Sequence, residues 1–387
     1  MPGNRFQQAP PDVRPKVGIG ILGYGFMGKT HSNAFHTLRY VDWPGAAYPE
    51  LVAIAGRTEA KVREAATRYE YQGYYTEWQG LVEDERIAVF DNVAGDPTHV
   101  DPTIAAAEAG KHVICEKPLA IHATDAKRMW EAAERAGVKH LCCYNYRFVP
   151  AVRLARDMLS RGELGEVYQA RFRYSQQWRH DPDADLPSPA GALRIIGCHA
   201  IDQARFLVGE IASVSALFSN PVTTSERRYG GDAVETDDTV ASLVQFQNGV
   251  NGTIDASLVS KGRKNFLAWE INCEKGTLVW DLERLNELQV WAARDSRNAV
   301  DGLMDVIVAE SDHPFMDYWW PSAHILGWEH SHINMLGHFL HCVVEDRPVG
   351  PLAATFEDGH LAQVIAEAMH ESAKTGRRVE LEAGARV

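Results

Sequence analysis

The sequence predicts an α/β protein in two parts. The first is an N-terminal doubly wound parallel sheet of Rossmann type. The second is a C-terminal α+β domain built on a large, mostly antiparallel open sheet. Three observations carry this. An apolar, β-branched run of Val17, Ile19, Ile21 and Leu22 opens directly into Gly23, Gly25 and Gly28, spaced G-x-G-x-x-G, and a helix-compatible segment follows. Strand-like and helix-like segments then alternate as far as about Arg147. Beyond that point long alternating runs joined by tight turns take over.

The glycine spacing has a physical reading at each position. Gly23 permits the tight turn, Gly25 lets backbone approach a pyrophosphate, and Gly28 lets the helix pack close on the strand. The N–H groups at the helix start, around Phe26 and Met27, then face the phosphates with the helix dipole behind them. Further strands are expected at residues 51–55, 87–93, 112–115 and 140–143. Helices are expected through Val62 and Ala66, over 103–109 and over 125–135. This half is a single dinucleotide domain, residues 16–147, behind a disordered lead-in, residues 1–15.

In the second half, residues 148–387, the segment 167–178 alternates strictly. Tyr168, Ala170, Phe172 and Tyr174 lie on one face, Arg171 and Arg173 on the other. Strands follow at 214–219, 239–246, 250–257, 267–273, 277–280 and 288–291. Asn248-Gly249 between two of these runs is a strong hairpin signal. Two helices, 327–345 and 356–375, close the chain.

Composition narrows the function classes. A chain of 387 residues exceeds one ordinary core. Its net charge of −13 argues against nucleic acid or an anionic membrane as the main partner. No apolar run reaches the length of a membrane span, and the first fifteen residues hold no signal-peptide core. The six cysteines include no C-x-x-C, which fits reduced thiols in the cytoplasm.

The end of the second strand carries Gly56-Arg57-Thr58, where an acidic residue for the ribose of NAD is usual. Arg57 could stack on adenine or meet a 2′-phosphate, so NAD is expected with NADP left open. Cys115-Glu116-Lys117-Pro118 follows the fourth strand, at the edge of the sheet where ligands lie. A lysine there can donate to a substrate hydroxyl or, when desolvated, take its proton; a cis peptide at Pro118 would aim it.

The series GYGFMG, Asp96-Pro97-Thr98-His99, AGKHVICEKPL, Tyr144-Asn145-Tyr146-Arg147 and Gly197-Cys198-His199-Ala200-Ile201-Asp202 resembles one family throughout. That family is the glucose–fructose oxidoreductase and inositol dehydrogenase family of nicotinamide-dependent sugar enzymes. The likeness is close from residue 16 to about 210 and looser beyond. It implies Lys117 and His199 as the catalytic pair, with Glu116 and Asn145 near the nicotinamide. Phe26, Met27, Asp96 and His99 join the glycine loop in the cofactor site, and Tyr146 faces substrate. It also implies a homodimer or homotetramer formed through the C-terminal sheet.

One position departs from the family pattern. Many members carry an aspartate four residues before the histidine, where this chain has Ile195. An apolar side chain cannot fix the imidazole, so Asp202, another group or Lys117 alone must supply the help; the alternative for Asp202 is a structural partner at the start of the following helix. Trp178, Arg179 and His180 end the long strand, where a Trp face and two polar groups suit a sugar. Trp319, Trp320, His324 and Trp328 are read as walls of the same carbohydrate pocket. The His-rich run from His324 to His341 lacks H-E-x-x-H, and no metal is assigned to it. The run looks most like the sugar- and anhydrosugar-oxidising members of the family.

The first functional reading is a dehydrogenase that oxidises a ring hydroxyl of a sugar, polyol or sugar derivative. The second is an NAD-dependent glycosidase working by transient oxidation and elimination, with the cofactor restored in each cycle. The third is a non-catalytic nucleotide sensor, against which the intact E-K-P and His199 argue.

Overall fold

The computed structural model describes residues 12–41, 43, 47–177, 191–222, 228–229, 232–233, 237–293 and 301–381. The first sheet contains β1 (Lys16–Leu22), β2 (Tyr48–Ala55), β3 (Gly73–Tyr75), β4 (Val89–Asn92), β5 (His112–Cys115) and β6 (His140–Cys142). Its order is β3-β2-β1-β4-β5-β6, with every pair parallel. Strand order therefore reverses between β1 and β4, and the carboxyl ends of those two strands flank the crevice where ligands bind such sheets. The linking helices are α1 (Phe26–Leu38), α2 (Glu59–Arg68), α3 (Gln79–Glu83), α4 (Val100–Glu108) and α5 (Ala123–Ala136). Strand β3 escaped the sequence reading because it is a three-residue, half-buried edge with no alternation to detect.

Residues 14 and 15, at the end of the expected lead-in, bond to the end of α1 and to β2. Arg14 donates to the main-chain carbonyls of Leu38 and Arg39, and the Pro15 carbonyl accepts from Tyr48 N. Residues 1–11 lie outside the described part.

After β6 come α6 (Pro150–Ser160), β7 (Val167–Ser175), α7 (Cys198–Leu207), β8 (Ile211–Ser219) and a two-residue pair, β9 (Arg228–Tyr229) with β10 (Asp232–Ala233). Next are β11 (Thr239–Phe246), β12 (Asn251–Ser257), β13 (Phe266–Cys273), β14 (Gly276–Asp281), β15 (Glu287–Ala292) and β16 (Met304–Ile307). The chain closes with α8 (Glu329–Val344), α9 (Phe356–Thr375) and β17 (Val379–Glu380). The second sheet has nine strands in the order β16-β15-β14-β13-β7-β12-β11-β8-β17. Only β7 and β12 run parallel in it; the other pairs are antiparallel. The predicted turn at Asn248-Gly249 joins β11 to β12, with Gly249 at φ +86°.

The two halves share their cores. On one face of the first sheet, Ile19 and Ile21 pack with Phe35 and Leu38 of α1 and with Ile333, Leu336 and Phe339 of α8. On the other face, Phe90, Val113 and Met129 belong to a core that continues through Val152 to Phe172 and Trp269 of the second sheet. Each such side chain contributes about 2 kcal/mol on burial. A division at residue 148 thus separates the sheets along the chain but not in space, because α8 returns to α1 and α9 to α5.

A buried ion cluster locks the joint. Arg147, 2% exposed, donates to both oxygens of Asp202 on α7, at 3.0 Å and 3.1 Å from Nε. It also lies 3.3 Å from Asp358 in the first turn of α9. Arg205 shares Asp358 at 3.1 Å and takes Glu210 at 2.8 Å. Breaking a buried pair strands a charge, so Asp202→Asn should lower stability by about 3 kcal/mol. That is read as a lower urea midpoint at unchanged slope. A shift no larger than that of Glu270→Gln, which breaks the exposed Arg171–Glu270 pair, would show that the cluster adds no stability.

Candidate active site

The glycine turn has the geometry its spacing requires. Gly23 sits at φ +111°, and a Cβ there would meet the Val93 carbonyl oxygen at 2.9 Å. A Cβ on Gly28 would lie 2.4 Å from the Gly23 carbonyl oxygen, so helix and turn touch backbone to backbone. Gly25 instead faces open space, with nothing within 4 Å of its Cβ direction. It is also the N-cap of α1, with no side-chain cap and no acidic residue in the first turn. The N–H groups of that turn therefore face a space into which backbone and dipole draw an anion. The donors present fit a pyrophosphate.

Beside this turn lies a cavity of about 590 Å³ at the carboxyl edge of the first sheet. Phe26 and Met27 reach it from α1, Asp96 and His99 from the segment after β4, and Glu116, Lys117 and Pro118 from the end of β5. Asn145 and Tyr146 enter after β6, Ile195 from the turn leading into α7, and His199 from the first turn of α7. Trp328 and His332 close it from the start of α8. These groups come from distant points in sequence, and the sheet brings them together.

Lys117 and His199 face the same cavity with opposite protonation. Burial works against the Lys117 cation, but Cys198, Glu116 and Asp96 outweigh it and raise its pKa above the ordinary lysine value. Lys117 Nζ donates to the Ile195 carbonyl at 3.0 Å, and the Lys117–Pro118 peptide is cis. His199 is pushed well below the usual imidazole value by burial first, then by the nearby Lys117 and His332. Its ring is boxed by Tyr144, Tyr146 and Tyr174, with centroids 4.7 to 5.9 Å away. A protonated donor and a neutral base thus sit side by side.

Several groups are fixed by their neighbours. Asn145 donates to Ser331 Oγ at 2.8 Å. His99 presents its two ring nitrogens to the carbonyls of Pro118 at 3.0 Å and Ala94 at 3.1 Å, a geometry that suits a doubly protonated ring. The Tyr146 and Tyr174 hydroxyls are 3.2 Å apart, and Tyr174 donates to Asn265 at 2.6 Å. Trp328 stacks on Phe26 at 5.7 Å and donates to the Tyr146 hydroxyl at 3.3 Å.

Other expected residues fall elsewhere. Asp202 is turned away from the cavity and bonded to Arg147, so it does not replace the missing aspartate. The Ile195 main-chain carbonyl takes that place toward Lys117, which a side-chain reading could not foresee. Arg57 is exposed beyond β2 and outside the cavity. His324 is exposed on a loop, bonded to the Pro321 carbonyl. Trp319 is spent on Asn334 and Trp320 is 46% exposed, so of the aromatic walls expected from that run only Trp328 lines the cavity. Trp178, Arg179 and His180 lie outside the described residues.

The sequence reading passed over Tyr174, Gln176, Asn265 and His332, all of which line the cavity. In the sequence Tyr174 shows only as a strand position, and His332 is one of several histidines in its run. It also passed over His31 and Asp91. These two, with Glu116, form a fully buried chain beneath the cavity. His31, Glu116 and Cys143 bring one metal-ligand type of atom each to within 4.8 Å of one another. His31, however, is raised to about 10 by Asp91 and Glu116 against the pull of burial. It carries a proton where a metal needs a lone pair.

Comparison with known proteins agrees with this geometry. Residues 17–144 match the oxidoreductase family with an NAD-binding Rossmann fold, and residues 152–279 match the GFO/IDH/MocA C-terminal domain. The chain is 34% identical over 379 residues to levoglucosan dehydrogenase of Pseudarthrobacter phenanthrenivorans, covering 92% of this chain and 96% of the relative. It is 25% identical over 368 residues to D-apiose dehydrogenase of Paraburkholderia graminis, covering 93% and 88%. A solved levoglucosan dehydrogenase in complex with NADH and levoglucosan superposes with a TM-score of 0.89 at 34% identity, covering 95% of this chain and all of that one. Glycine turn, E-K-P loop, histidine helix and open second sheet together agree with these matches, and the chain belongs to the GFO/IDH/MocA family of NAD-binding oxidoreductases.

Proposed function

We propose that the protein oxidises a secondary hydroxyl on the ring of a sugar or anhydrosugar, with NAD as hydride acceptor. The observation that carries this is the neutral His199 beside the protonated Lys117 in the cavity next to the open glycine turn. The α1 N-terminus would hold the pyrophosphate, and Asn145 and Glu116 would border the nicotinamide. NAD, once bound, supplies the site that accepts the hydride. His199 takes the hydroxyl proton, and Lys117 donates to the same oxygen as carbonyl character develops. The cationic Lys117 also disfavours a charged His199 before substrate arrives, which keeps the base free. The indole of Trp328 offers a ring-sized apolar surface, and Gln176 and Asn265 offer amides to further hydroxyls. That mixture suits a carbohydrate, and relatives named for levoglucosan and D-apiose support the class.

We also infer a homo-oligomer that covers the open face of the second sheet. Burial alternates along β11, and the outward positions of β11 and its neighbour β8 include Leu217 at 73% and Leu243 at 65% exposure. Leu217 and Leu243 lie on paired neighbouring strands, an apolar patch that suits a second copy of the same face. A cytoplasmic setting is in keeping with the six cysteines, all of them free.

Incubation with NAD and a panel of free sugars, anhydrosugars and glycosides should yield NADH in proportion to product. Aglycone released over many turnovers without NADH would put the redox-assisted glycosidase in its place. Lys117→Ala should reduce turnover by about 10²-fold or more with NAD affinity nearly intact; retention of a tenth of the rate would remove Lys117 from the chemistry.

The pH dependence follows from His199. Its folded pKa lies below the unfolded 6.5, so the base form persists under pH 6.5 and the acid limb of kcat/KM should fall below that value. The same shift means that the unfolded chain binds the extra proton first, so this contribution to stability is present above pH 6.5 and lost as pH falls. An acid limb centred at or above 6.5 would contradict a desolvated His199.

A further inference from the structure

Asp91 on β4, His31 on α1 and Glu116 at the end of β5 form a continuous buried chain. His31 Nδ1 meets Asp91 Oδ2 at 2.8 Å, and Nε2 lies 3.3 Å from Glu116 Oε1. The other Glu116 oxygen accepts from Lys117 N at 3.0 Å. Asp91 and His31 are sealed from solvent, and only Glu116 touches the cavity. Next to it stands His332, also lining the cavity, with both ring nitrogens unbonded among the described residues.

The signs of these charges can be assigned. His31 lies between two carboxylates and is protonated; Glu116 stays ionised although burial opposes it, held down by His31 and Lys117. His332 is neutral, lowered to about 3 by burial and by the positive His31 and Lys117. Burial and Glu116 push the Asp91 carboxyl up while His31 pulls it down, so the negative charge that the chain presents to the cavity is that of Glu116, with the Lys117 cation beside it. Glu116 Oε1 makes no hydrogen bond that meets normal geometry. Ion chains this deep are disfavoured by desolvation, and apolar residues of similar volume fill such space more readily.

The orientation of a dinucleotide follows from the sheet. With the pyrophosphate on the α1 N-terminus and adenosine toward β2, the nicotinamide end falls on the β4–β5–β6 side. Glu116, Lys117 and His199 face the cavity there. Oxidised nicotinamide carries a positive charge that the reduced ring lacks.

We propose that His31, seated between Asp91 and Glu116, holds the Glu116 carboxylate against the nicotinamide end of the cavity, so that the protein binds the oxidised cofactor in preference to the reduced one. The inference rests on the cofactor reading above. Its consequence for turnover is directional: NAD⁺ is retained for reaction and NADH is released. The same carboxylate keeps Lys117 positive, so the base pair and the cofactor preference share one anchor.

The test is calorimetric titration of the full-length protein with NAD⁺, NADH and ADP-ribose, which lacks the nicotinamide. Glu116→Gln should weaken NAD⁺ binding about tenfold while changing NADH and ADP-ribose less than about twofold. Glu116→Asp, which keeps the charge, should retain most of the wild-type ratio. Asp91→Asn weakens the hold on the His31 proton, and through it on the Glu116 carboxylate, and should shift the ratio in the same direction by less; it carries the test should Glu116→Gln not fold. Equal weakening of all three ligands, or an unchanged NAD⁺ to NADH ratio in both Glu116→Gln and Asp91→Asn, would overturn the proposal and leave the chain a structural brace. Failure of the wild-type protein to bind either cofactor would instead overturn the cofactor reading.

Discussion

The arrangement of the site depends on the ion cluster around Arg147. One guanidinium binds the segment after β6 to Asp202 on α7 and to Asp358 at the head of α9. The first contact places Tyr146 beside His199, because Arg147 and Tyr146 are adjacent and Asp202 lies one turn beyond His199. The second ties α9, which packs on α5, to the same point. Asp358 is itself held by the capping box of α9, in which Thr355 N donates to it at 2.9 Å. A charge this buried tolerates few alternative geometries, since any shift would leave it unpaired. The cluster therefore fixes where the second sheet and its histidine stand against the nucleotide-binding sheet.

Within that frame, protonation is distributed by neighbours more than by residue type. Among the histidines, His31 is charged because two carboxylates enclose it, whereas His199 and His332 are neutral because burial is not offset by any close carboxylate hydrogen bond. A dehydrogenase needs this contrast: one group able to accept a proton and one cation able to steady the oxygen that loses it. The substitution of Ile195 for an aspartate is compatible with it. The backbone carbonyl still orients Lys117 at 3.0 Å, and among the described residues no acid is a cause that raises His199.

The wall of the cavity is equally a composite. Trp328 is fixed on one side by Phe26 of the glycine-turn helix and on another by the Tyr146 hydroxyl. Asn145 is held by Ser331, one turn further along α8. The segment after β6 and the start of α8 are thus joined across the cavity by hydrogen bonds between residues nearly two hundred positions apart.

Sequence by itself determined what depends on local chemistry and periodicity. Strand β1 and the three glycines declare a nucleotide turn because each step of that turn has its own steric demand. Strands β11 to β15 declare themselves because one buried face imposes alternation. Lys117 and His199 were legible through motif context. Only the tertiary structure decided the rest, since contact over long sequence separation leaves no periodic trace. It withdrew Asp202 to Arg147, put a main-chain carbonyl where an aspartate was sought, and set His324 and Trp320 outside the cavity. It also brought Tyr174, Asn265 and His332 into the cavity and assembled His31, Asp91 and Glu116 beneath it. Charge state and cavity shape are properties of neighbours in space, and these neighbours are created only when the two sheets close on each other.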